Sequence, residues 1–287
     1  MNSKNELDST ISKINWYPGH MAKGMRELKE NSSLVDLIVV ILDARCPISS
    51  YNPDFDNIAP NKPRLFIITK SDLMDKSKKD LVTQQYKDKH LLWLDLRKQN
   101  SKIIIEKEIN KITYQKQQKD LSKGLIKPRI KIFVVGIPNV GKSTLINLLA
   151  NKKTLKVANY PGVTKIKNWV AIDNLFLMDT PGILLPKIED NETGIKLLAI
   201  NSISNEIFSK MFLATQFLIL VYKYYPEIIK RDFSYFEIVN DELSAKKLLE
   251  FIALKMMFLN TNKQIDYNRV CVYIISWVKE LKNITFD

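Results

Sequence analysis

Apolar residues run almost unbroken through LVDLIVVILDAR (34–45), PRLFIITKSD (63–72), LLWLDL (91–96), PRIKIFVVG (128–136) and LFLMDTPG (175–182). Each run stops at turn or polar residues. Continuous rather than alternating apolarity marks strands buried on both faces. Residues 22–31, 76–88 and 101–120 lie between the runs with helical spacing, so the alternation predicts an α/β domain with a mainly parallel sheet. Its strand tips would bring Asp43, Asp72, Asp179 and a glycine loop to one edge, where ligands of open α/β sheets bind.

The texture changes near residue 190. No glycine follows Gly194, and apolar residues recur at helical spacing in EIFSKMFLATQFLILVYKYY (206–225), ELSAKKLLEFIALKMMFL (242–259) and DYNRVCVYIISWVKEL (266–281). The expected organisation is an α/β domain over 1–187 and an all-α domain over 188–287. Asn240 or Asp241 reads as an N-cap, Pro226 as a helix boundary, and Met256 and Met257 as core residues. The most apolar run, MFLATQFLILVYKYY, is interrupted by Thr215, Gln216 and Lys223 and is too short to span a bilayer, so it reads as a buried helix.

Chemistry enters with GIPNVGKS (136–143), which fits G-x-x-x-x-G-K-[ST] between a strand and a helix. Glycines let the backbone approach phosphates, the helix N-terminus supplies positive potential, Lys142 reaches the β- and γ-phosphates and Ser143 ligates Mg2+. DTPG follows a second strand. Asp179 holds Mg2+ through water, and the Gly182 amide senses the γ-phosphate. Between them, NYPGVTK (159–165) offers Thr164 as a switch threonine for Mg2+ and γ-phosphate, against the plainer reading of a loop threonine. TKSD (69–72) ends another strand. A carboxylate there accepts from the N1–H and 2-amino group of guanine, whereas adenine presents an acceptor at N1. Lys70 would lay its stem across the base.

The net charge of +13 is distributed along the chain and points to a polyanionic partner such as nucleic acid, or to a solvated basic face. The clusters Lys152/Lys153/Lys156, Lys165/Lys167 and Lys127/Arg129/Lys131 carry the same two readings. Cys46 and Cys271 stand apart with no metal-ligand spacing, which suits a reducing cytoplasm.

The strings GIPNVGKSTLIN, YPGVT and DTPGIL resemble the Era-like GTPases, except that base recognition precedes the phosphate loop. That order resembles the circularly permuted GTPases, and NWYPGHMAKGMREL with DLIVVILDARCPISSYNP resembles the ribosome biogenesis GTPase A family in particular. The resemblance implies a P-loop GTPase fold with permuted motif order, an all-α RNA-binding C-terminal domain, and a monomeric cytoplasmic factor. Its partners would be the large ribosomal subunit and its rRNA, with no membrane. GTP or GDP with Mg2+ would be bound, with Asn139, Val140, Gly141, Lys142, Ser143 and Thr144 on the phosphates and Thr69, Lys70, Ser71 and Asp72 on the base. Pro181 and Gly182 would face the γ-phosphate, and Asn139 would ligate a K+ ion. GTP hydrolysis would control release from the pre-ribosome, slowly until the ribosome stimulates it.

Three departures accompany the resemblance. Ile183 stands where a water-orienting glutamine is usual. His20 is the family's substitute, and it reads equally as a helix cap or packing residue. Thr69 replaces the usual asparagine and is expected to remove a tie between base pocket and phosphate loop. DLRKQNSK (95–102) lacks a Ser-Ala base-contacting loop and yields no site residue. Two other functions stay open: a nucleotide-gated RNA-binding module with negligible hydrolysis, and a GTPase acting on tRNA.

Overall fold

The computed structural model describes residues 19–150, 156–157, 169–185, 188 and 190–287, with backbone alone at His20, Lys156 and Val157. Two compact units are bounded at residues 15–187 and 188–286, with Asp287 grouped with the first.

The first unit carries helix α1 (Gly19–Glu30), then strands β1 (Leu37–Asp43) and β2 (Arg64–Thr69), helix α2 (Lys79–Gln85) and strand β3 (His90–Trp93). Helix α3 (Asn100–Ser122) leads to β4 (Ile130–Val135), α4 (Lys142–Leu149), β5 (Lys156–Val157), β6 (Trp169–Ile172) and β7 (Leu175–Asp179). The sheet order is β3-β2-β1-β4-β7-β6-β5. The first five of these strands pair in parallel, as their uniform apolarity predicts, and every residue of β1 is buried. β5 and β6 pair antiparallel at one edge; KV and WVAI are too short to stand out as strands and were not expected from the sequence.

The order explains where a ligand sits. From β1 the chain proceeds outward through β2 and β3, whereas from β4 it crosses to the opposite edge at β5 and returns inward through β6 to β7. β1 and β4 are neighbours, so the crevice beyond their carboxyl ends is the point at which the order reverses. Asp43, Thr69, Gly136 and Asp179 all stand at that edge.

The second unit holds helices α5 (Asn191–Ala199), α6 (Lys210–Tyr224), α7 (Pro226–Phe233), α8 (Glu242–Lys255) and α9 (Tyr267–Glu280). α6, cut from the most apolar stretch, buries Leu213, Ala214, Phe217, Leu218 and Val221 and packs against α8 and α9. No helix among the described residues is long and apolar enough to cross a membrane. Side chains start the helices where the sequence suggests: Asp241 and Ser244 form a capping box at α8, and Pro226 opens α7. Met256 and Met257 are exposed rather than core, because α8 ends at Lys255 and Met257 turns the chain with a positive φ of 54°.

Glu192 in α5 accepts hydrogen bonds from Lys223 and Tyr224 of α6. Burial disfavours its charge, but these bonds and the Lys196 ammonium prevail and hold its carboxyl down to about 2. A depressed carboxylate stabilises fully above its unfolded value and loses that contribution as pH falls toward 2. The melting-temperature difference between the wild type and Glu192→Gln should therefore shrink as pH is lowered from about 5 to about 3, which thermal scans at stepped pH would measure.

Candidate functional site

The phosphate loop starts where β4 meets Gly136 and ends at Gly141, which takes a left-handed φ of 110° to launch α4. Ile137 and Val140 are fully buried and pin the loop. Lys142 is buried too, and its Nζ donates to Ile137 O at 2.8 Å, so the lysine bends back over its own loop. Burial pushes its ammonium down to about 8, against the opposing pull of Asp179. Ser143 and Thr144 are exposed in the first turn of α4.

Beside the loop, β7 ends at the half-buried Asp179, whose carboxyl burial pushes up and Lys142 pulls down. Thr180 Oγ1 donates to Val134 O at 2.6 Å and ties β7 to β4. Gly182 lies against the phosphate loop so closely that a Cβ there would meet Pro138 N and Cα at 2.7 Å. Any side chain would displace the loop. Ile183 donates its amide to Gly136 O at 3.2 Å and is fully buried, so its side chain faces the core.

The TKSD segment reaches the same crevice from β2. Thr69 Oγ1 lies 2.5 Å from Val140 O and 3.0 Å from Leu42 O, with its one proton available to either. The tie expected to vanish with asparagine is therefore kept by a hydroxyl, which is short enough to bond the loop carbonyl from a buried position. Lys70, at a positive φ of 57°, sends Nζ to Asn139 O at 2.8 Å and Asp43 Oδ2 at 2.6 Å. Arg45 grips the same Asp43 with Nε at 3.0 Å and a guanidinium nitrogen at 2.8 Å. Burial opposes the charge of Asp43, but the two cations outweigh it and hold the carboxyl below its ordinary range.

A cavity of about 250 Å³ opens between these elements, lined by Thr69, Lys70, Asp72, Gly141 and Thr144, with Asp95, Leu96 and Arg97 closing its far side. The sequence alone assigned no site residue in that last segment, which follows β3 and is brought to the crevice by the pairing of β3 with β2. Ser71 is held by its amide on Leu94 O.

Asn139 takes a positive φ of 60° within the loop. Thr164 and the whole of NYPGVTK lie outside the described residues, as do Lys152, Lys153, Lys167 and the side chain of Lys156. His20 falls in the first turn of α1, its side chain likewise outside the description. Lys127 and Arg129 are exposed ahead of β4. Both cysteines are buried and unbridged, and no cluster of three His, Cys, Asp or Glu side chains among the described residues is arranged to hold a metal.

Residues 131–249 match the family model described as 50S ribosome-binding GTPase. The chain is 37% identical over 284 residues to ribosome biogenesis GTPase A of Priestia megaterium, covering 96% of each protein. It is 37% identical over 276 residues to the Bacillus licheniformis protein of the same name, covering 94% of this chain and 95% of that one. Among solved structures, GNP-bound YlqF from T. maritima superposes with a TM-score of 0.61 at 21% identity, covering 92% of this chain and 97% of that chain, a likeness of fold.

Proposed function

The chain belongs to the ribosome biogenesis GTPase A family, and from that premise we propose that it couples GTP binding and hydrolysis to late assembly of the large ribosomal subunit. The observation that carries the nucleotide reading is the convergence of Asp72, the 136–143 loop and Gly182 on one crevice from three separate strands. The α/β unit is read as the GTPase domain and the helices from residue 188 as the part that grips rRNA. Release would follow hydrolysis.

In this reading Lys142 exchanges Ile137 O for the β- and γ-phosphate oxygens, and loop amides complete the cradle. The donor set beside it, one hydroxyl and one carboxylate, suits a hard cation that takes its remaining ligands from phosphate and water. Ser143 and Asp179 would hold Mg2+, with Thr164 joining them, and the ion would neutralise charge developing on the phosphates. Asn139 is the residue offered to K+.

Buried Ile183 supplies no group to the attacking water, so the water must be oriented from elsewhere. The support for His20 is positional. α1 approaches the DTPG segment at Gly24, where a Cβ would lie 2.7 Å from Pro181 Cγ, and Met21 sulfur accepts from the Leu184 amide at 3.5 Å. His20 stands one turn before Gly24 on the same helix face. Its imidazole would orient or deprotonate water near neutral pH.

Single-turnover hydrolysis should rise about 100-fold or more when purified large subunits are added, within the range that positioned acid–base groups contribute. His20→Ala should abolish the rise while GDP still binds. No stimulation, with His20→Ala silent, favours instead a nucleotide-gated RNA-binding module, the reading that Ile183 supports. Sedimentation with large subunits should depend on GTP analogue against GDP; equal binding in both would remove the switch.

A further inference from the structure

Asp72 is the carboxylate read as the guanine contact, yet its side chain is 27% exposed and sits on a turn beyond the strand. A carboxylate in that position must be held at one angle to meet two donors on the edge of a base at once. One side chain does so. An Arg97 guanidinium nitrogen lies 2.7 Å from Asp72 Oδ2, while the Arg97 Nε and guanidinium contact Asp95 as a fork at 2.9 and 3.1 Å. Asp95 is itself fixed: it is only 10% exposed, accepts the Arg97 amide at 3.1 Å, and its carbonyl takes Ser101 Oγ at 2.7 Å.

We propose that Arg97 is the positioning residue for guanine recognition, acting through Asp72 in a segment that lacks a Ser-Ala base loop. This rests on the guanine-nucleotide reading of the crevice. Each carboxylate oxygen has two lone pairs, so Oδ2 keeps one for the base while the other binds Arg97. The trio Asp72, Arg97 and Asp95 carries a net charge of −1, which preserves attraction for the donor edge of guanine. Without Arg97, two carboxylates share one rim with no cation between them, and Asp72 recovers the rotamer freedom that binding must then remove. Arg97 is 71% exposed, so these pairs contribute little to stability. Their effect falls on orientation.

The test compares GDP with inosine diphosphate, whose base lacks the 2-amino group, by fluorescence titration of the full chain. Arg97→Ala should weaken GDP about tenfold and inosine diphosphate less than threefold, narrowing the preference with an unchanged melting temperature. Arg97→Lys should recover part of it, since an ammonium lacks the planar fork. A GDP affinity within twofold of wild type, or equal losses for both nucleotides, would overturn the positioning role. A wild-type chain with no preference between the two nucleotides would instead remove the guanine reading on which the proposal rests.

Discussion

Asp72→Asn should weaken guanine nucleotides by about 100- to 1,000-fold and turn the site toward xanthine nucleotides. The reasoning is donor by donor. Asp72 offers two acceptors to the N1–H and 2-amino group of guanine, whereas asparagine offers one acceptor and one donor, so its amide would face the 2-amino group donor to donor. Xanthine carries an oxygen at that carbon and restores the match. Hydrogen bonds to charged groups are worth about 1.5–3 kcal/mol each, and an unpaired polar group in the site adds to the loss. The partial exposure of Asp72 keeps the effect below that of a sealed pocket. Equilibrium titration with GDP and xanthosine diphosphate measures both halves of the expectation. Unchanged GDP affinity would place base recognition elsewhere in the chain.

The strands β1, β2, β4 and β7 were legible because runs such as LIVVILD have no polar alternation and can be buried only on both faces. The phosphate loop was legible because glycine, lysine and serine at fixed spacing carry their own local geometry. Arg97 was not legible. Its role depends on β3 pairing in parallel with β2, which sets residue 97 beside residue 72 across the sheet edge. Thr69 was misread for a related reason: a hydroxyl shorter than an amide fails to reach in the abstract, yet β2 brings it within 2.5 Å of Val140 O. Edge strands β5 and β6 escaped because WVAI, though apolar, spans only four residues and KV is too short for any period to register.

The permuted order changes what holds the nucleotide site together. Strand β2, which ends in the TKSD segment proposed to read the base, precedes the 136–143 loop in the chain, and the connection between them runs through β3 and the long α3. Covalent continuity therefore does not set their spacing. The sheet pairing of β1 with β4 does, assisted by two side chains that reach across from the tip of β2 to the loop: Thr69 to Val140 O and Lys70 to Asn139 O. The Lys70 stem was expected to lie across the base; its ammonium spans the crevice between Asp43 and the loop, and the residue lines the cavity.

Asp43→Ala should therefore be the most destabilising single change in the site. Asp43 is fully buried, and removing it takes from the Arg45 guanidinium, whose side chain is 7% exposed, its forked carboxylate partner, and from the Lys70 ammonium one of its two contacts. Breaking a buried ion pair from one side costs about 3–5 kcal/mol, because the remaining charge loses its compensation. For a unit of this size that corresponds to a fall in melting temperature of about 10 °C. The damage should also reach the ligand, since Lys70 loses the partner that aims it at Asn139 O, and GDP affinity should drop more than in an equally destabilised core variant such as Leu148→Ala. Thermal scans with and without saturating GDP separate the two effects. If GDP raises the melting temperature of Asp43→Ala as much as that of wild type, the carboxylate serves stability alone and Lys70 finds the loop without it.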